Sequence, residues 1–140
     1  MLLHIHNHVF IQSLNVNYMK GVKHFFLRIC KDNGVKINIG DKWHCSFRDK
    51  KPVITIPEQK TNLDIFLGFH ELAHAILHKN DKRDYDDLLS RIQIECEADN
   101  LANKYMRENG LETVSNNYTL GLIALYLFEG NEYLNYTFRS

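Results

Sequence analysis

The chain has 140 residues and a mass of 16.5 kDa, enough for a buried core, and reads most simply as one domain over residues 1–140. Hydrophobic residues make up 44% and charged residues 24%, the mix of an ordinary globular protein rather than a disordered or membrane-embedded one. Lys+Arg and Asp+Glu balance at 17 each, which removes the net field that a nucleic-acid or anionic-membrane binder uses, so neither partner is expected.

Met1-Leu2-Leu3 runs straight into His4, His6 and His8, too short and too polar for a signal peptide. Leu3, Ile5 and Val9 alternate with those histidines, so a strand here would set three imidazoles on one solvated face. From about Asn17 to Lys31 the spacing turns helical, with Val22, Phe25, Phe26, Ile29 and Cys30 on one stripe. Asp32-Asn33-Gly34 ends that helix, the glycine suiting a left-handed cap. Val35, Ile37 and Ile39, then Trp43, Cys45 and Phe47, alternate as strands, and Val53 to Ile56 is a β-rich run between Pro52 and Pro57. These runs predict a small antiparallel sheet, with the last strand short or at an edge because of its prolines. The cysteines Cys30, Cys45 and Cys96 are odd in number and irregular in spacing, which points away from a disulfide framework and toward a reducing, cytoplasmic setting.

Thr61 offers an N-cap with Asp64 three residues on, a capping-box pattern, and predicts a helix from about Leu63 to Lys79. That helix is apolar almost all round, as in a helix buried mid-domain. It carries His70-Glu71-Leu72-Ala73-His74, and residues four apart lie one turn above each other on the same face. His70 and His74 can therefore present two ring nitrogens to one tetrahedral Zn²⁺, with Glu71 beside it to take a proton from the attacking water. His78 lies a further turn of roughly 5.4 Å away, too far for a compact site, and reads as a helix-end or supporting residue.

Asn80 to Asp87 is polar and without period, a surface loop. A second long helix is predicted from about Leu88 to Glu108, stopped at Asn109-Gly110, and a last apolar one near Tyr118 to Phe128. On the second long helix, Leu88, Ile92, Ala98, Ala102, Tyr105 and Met106 define an apolar arc, and Glu95 and Asp99 fall near its middle. Carboxylates in a packed face are costly unless paired or bound to a cation. The economical reading makes Glu95 the third metal ligand and Asp99 the acceptor for the far nitrogen of a ligand histidine; the alternative is that this face is more open and both acids are wet. Glu97 points the other way and reads as a solvated helix residue. Tyr85, one of seven tyrosines, reads as surface, with an oxyanion donor as the sharper alternative.

His70-Glu71-Leu72-Ala73-His74-Ala75-Ile76-Leu77-His78, followed by Glu95-x-Glu97-Ala98-Asp99-x-x-Ala102, resembles the ImmA/IrrE family of zinc metallopeptidases. That family typically has His-Glu-Leu-Gly-His with a further His four on, then Glu-x-Glu-Ala-Asn before Phe-Ala. Here Ala73 replaces the Gly, Asp99 the Asn and Leu101 the Phe, and Asp99 also resembles the Glu-x-x-x-Asp of thermolysin-like enzymes. The likeness spans about Leu67 to Ala102. It implies a minimal zincin-like α+β fold with Zn²⁺ on His70, His74 and Glu95, Glu71 as catalytic base, and a protein substrate such as a helix-turn-helix repressor. The rival expectation is a regulatory binding module on the same fold, non-catalytic or of toxin–antitoxin type. Other divalent ions suit the same ligands.

Overall fold

The computed structural model describes residues 16–48 and 51–139, with side chains over 19–47 and 51–129. The predicted opening strand with His4, His6 and His8 lies outside the described residues. In chain order the elements are α1 (Val16–Asp32), β1 (Lys36–Ile39), β2 (His44–Arg48), β3 (Lys51–Ile56), α2 (Asn62–Leu77), α3 (Leu88–Glu108) and α4 (Asn117–Arg139). Among the described residues the architecture is mixed α and β, four helices with one three-stranded sheet.

The sheet corrects one expectation. Its order is β1-β3-β2, and only β2 and β3 are antiparallel; β1 pairs with β3 in parallel, Lys36 opposite Val53 through Ile39 opposite Ile56. β3 is therefore the central strand, not an edge. The ladder with β1 begins at Val53, after Pro52, and ends at Ile56, before Pro57, while on the β2 side Pro52 stands opposite Phe47, one step from the end of that ladder. Pro52, Ile54 and Ile56 alternate inward and are buried.

Those strand residues meet α2, which packs on the sheet with one face and along α3 with another. Ile65, Phe66, Phe69 and Leu72 of α2 are fully buried, joined by Val22, Phe26 and Cys30 of α1 and Ala102 and Met106 of α3. Phe69 is the hub: its ring lies 5.9 Å from Phe25, 5.5 Å from Phe26 and 5.5 Å from Tyr105. Because Phe69 precedes His70, this cluster fixes the rotation of α2 and with it the direction of the histidine face.

The start of α2 shows the capping box: Thr61 Oγ1 accepts from the Asp64 amide at 3.1 Å, and Asp64 accepts from the Thr61 amide at 3.1 Å. Gly34 (φ 65°) and Gly110 (φ 69°) take the left-handed conformation that ends α1 and α3. The last helix is longer than expected. It passes Gly130 without stopping and runs to Arg139, since an interior glycine costs a helix only about 1 kcal/mol. Cys30, Cys45 and Cys96 are free thiols. No helix among the described residues is long and apolar enough to cross a membrane.

Candidate metal centre

α2 and α3 lie side by side, and their facing surfaces bring His70, His74 and Glu95 to one point. His70 Nε2 lies 3.0 Å from His74 Nε2 and 2.9 Å from Glu95 Oε2, while His74 Nε2 lies 3.3 Å from Glu95 Oε1. Four ligands around a zinc at its usual bond lengths stand roughly 3.3 Å apart. The 3.0 Å between the two ring nitrogens, and the 2.9 and 3.3 Å from them to the two oxygens of Glu95, are close to that spacing, so these residues could hold a metal ion of that size.

Each of these side chains is oriented from behind. His70 Nδ1 lies 2.7 Å from Asp99 Oδ1, on the same face of α3 as Glu95 and one turn further. Asp99 Oδ1 also accepts from Asn116 Nδ2 at 3.2 Å. Asn116 is delivered there by Asn103, whose side chain bonds both the amide (2.9 Å) and the carbonyl (3.0 Å) of Val114. Glu95 Oε1 accepts from the Tyr85 hydroxyl at 2.8 Å. Behind His74, its Nδ1 lies 2.9 Å from His78 Nδ1.

The electrostatics follow from burial and these contacts. Burial disfavours a charged His70, but hydrogen bonds to Asp99 and Glu95 outweigh it and raise its pKa to about 9. Burial raises the Glu95 carboxyl, yet the hydrogen bonds from His70 and His74 win and hold it well below the usual carboxylate range. A proton on His70 can therefore satisfy the same contacts that a cation would, and the two compete for the site. Glu71, half-buried beside the histidines, is pushed up by burial, partly offset by His74 and His70. Burial holds the imidazolium form of His78 down.

Glu71, His70, His74 and Glu95 line a cleft of about 590 Å³ that is also lined by Trp43 and by His44, Cys45 and Phe47 of β2. His44 is close enough to Glu71 to lower its proton affinity. A larger groove of about 720 Å³ between α1, β1 and residues 57–60 is mostly apolar and carries no metal-ligating cluster among the described residues.

Tyr85, Arg83, Glu97 and His44 take part in ways that the sequence pattern does not signal. The loop of residues 80–87 reads in the sequence as surface, with an oxyanion donor as the alternative for Tyr85, but Tyr85 reaches Glu95 and Arg83 binds Glu97. Glu97 does point away from the centre and is 46% exposed, yet it is not merely wet: its Oε1 lies 3.0 Å from His78 Nε2. His44 sits on a strand whose alternation signalled only its face. No protein-family model, curated protein or solved structure matches this chain, so the family likeness stands on the motif residues alone.

Proposed function

We propose that this chain is a cytoplasmic zinc-dependent endopeptidase with a zincin-like fold, of the ImmA/IrrE kind. The observation that carries the reading is the convergence of His70 Nε2, His74 Nε2 and the Glu95 carboxylate within 3.3 Å of one another, with Glu71 in the same cleft. His70, His74 and Glu95 would hold the zinc, which would supply a Lewis acid to polarise a peptide carbonyl and ease deprotonation of water.

Glu71 is the general base. Its raised proton affinity suits it to accept a proton from the attacking water and then give that proton to the leaving amine nitrogen. In balance, a carbon–oxygen bond forms, the carbon–nitrogen bond breaks, and water is divided between the new carboxylate and the amine. Asp99 keeps His70 in the tautomer whose Nε2 lone pair faces the centre. His44 flanks the cleft as a candidate donor to the oxyanion that develops on the carbonyl, whereas the Tyr85 hydroxyl already donates to Glu95. Among the described residues β2 lies at the edge of the sheet, so an extended substrate can add to it through main-chain hydrogen bonds. That suits a protein substrate, and the family likeness points to a helix-turn-helix repressor.

A second reading, a regulatory binding module, is favoured by the exposed apolar side chains of α4, where Leu125, Leu127 and Phe128 are 46%, 58% and 61% exposed. Incubating zinc-loaded protein with an unfolded protein mixture and reading new termini by mass spectrometry separates the two. Cleavage that is lost on chelation and in Glu71→Gln supports the peptidase. Cleavage equal in Glu71→Gln, or none at all, contradicts it and puts the binding module first.

A further inference from the structure

His70 and His74 are equivalent in the motif but are supported differently. Behind His70 stands a carboxylate, Asp99. Behind His74 stands a second imidazole, His78, which is buried and in turn meets Glu97. We infer that His78, Glu97 and Arg83 form a positioning chain that sets the tautomer and ring direction of His74 from outside the cleft. The inference rests on the reading of His74 as a metal ligand.

The geometry allows one consistent assignment of protons. A His74 ring that turns the Nε2 lone pair to the centre carries its proton on Nδ1 and donates it to His78 Nδ1, 2.9 Å away. His78 then carries its own proton on Nε2 and donates it to Glu97 Oε1 at 3.0 Å. The opposite direction fails for neutral rings. It would set a bare His78 Nε2 lone pair against the Glu97 carboxylate, and it would put the His74 proton on the atom that faces the centre. Glu97 therefore selects the direction of the whole chain.

Glu97 is half-exposed, and an exposed glutamate alone would not hold one position. Arg83 holds it with two parallel bonds, Nη1 to Oε2 at 2.9 Å and Nη2 to Oε1 at 2.6 Å. Arg83 is itself fixed by Asp81, which accepts from its Nε at 3.0 Å. The end of α2 makes this possible: the helix stops at Leu77, and His78 caps it at φ −112°, ψ 13°, its N–H bonded to the His74 carbonyl at 2.9 Å. The His78 ring therefore lies one turn beyond His74, the two ring centroids 5.0 Å apart. His78, Asp81 and Glu97 also place three potential ligand atoms within 4.8 Å of one another. The Arg83 guanidinium already bonds both carboxylates, so a second cation would have to displace it.

The test uses zinc affinity, measured by competition with a chromophoric chelator, and the d–d absorption of the Co²⁺-loaded protein. Removing the partner behind a metal-bound histidine typically costs about 10–100-fold in metal affinity, and Glu97→Ala and His78→Phe should fall in that range. Glu97→Gln, whose amide oxygen still accepts from His78, should recover part of the loss. Arg83→Met should weaken binding in the same direction, and should add nothing in a Glu97→Ala background. The Co²⁺ bands should shift in Glu97→Ala, which a purely structural role would not produce. Wild-type affinity and bands in all these folded variants overturn the chain alone. A second zinc in the wild type that disappears in Glu97→Ala overturns it in favour of a second cation site. No zinc in the wild type removes the metal reading, and the chain with it.

Discussion

Asp99→Asn is the substitution that most finely probes the support of the metal centre. The carboxylate lies 2.7 Å from His70 Nδ1 and is only 14% exposed. Asparagine keeps its volume and an acceptor oxygen, so Asn116 and His70 can both remain in place. What is lost is the charge on the acceptor. A hydrogen bond to a charged group contributes about 1.5–3 kcal/mol and a neutral one about 0.5–1.5, so the variant should lose about 1–1.5 kcal/mol, or roughly tenfold in zinc affinity. The same charge has an opposing effect, because Asp99 helps raise His70 to about 9 and so favours the competing proton. Below that value zinc must displace a proton in the wild type, and it does so more easily in the variant. The gap should therefore be small near neutral pH and reach its full size by about pH 9.5. Chelator competition across that range measures it. A gap that shrinks with rising pH, or a variant that binds tighter than wild type at alkaline pH, refutes the reasoning. Asparagine is also the residue usual in the family the motif resembles, so hydrolysis should survive.

Glu71→Gln should retain zinc within a few-fold while hydrolysis falls by roughly 10²–10⁴, measured on any substrate found by terminus mapping. Zinc added to metal-free protein near neutral pH should release about one proton per ion, read in weak buffer with an indicator dye, and the release should fade as pH rises through the His70 value of about 9. The sign follows from a raised folded-state value: the ring is protonated below it and already neutral above it. Phe69→Ala should cost about 3–5 kcal/mol in urea unfolding, because a ring that is 0% exposed and packed on three aromatic neighbours leaves a cavity. A loss under about 1 kcal/mol would show that this cluster is not the hub of the core.

Much of the site's scaffold was legible because it is written in local periods. The capping box at Thr61 and Asp64 marked the start of α2, and a 100° step placed Glu95 and Asp99 on the inward arc of α3, where Glu95 is buried. The sheet order was not legible. Alternation in β1 and β3 tells which residues face inward, but it carries no information on which strand lies beside which, so the parallel pairing was invisible. Glu97 shows the limit of a helical wheel. The wheel gave its direction on α3 correctly, yet it could not reveal that His78 and Arg83 come over from neighbouring segments to meet it. Arg83 and Tyr85 were hidden for the same reason, since an aperiodic loop offers no face to read.

The central claim is that His70, His74 and Glu95 hold one zinc ion. Zinc content by inductively coupled plasma mass spectrometry, after reconstitution and removal of excess metal, tests it on the wild type beside Glu95→Ala. The account predicts about one zinc per wild-type chain and almost none in folded Glu95→Ala. Equal zinc in the two proteins, or none in the wild type, would contradict it.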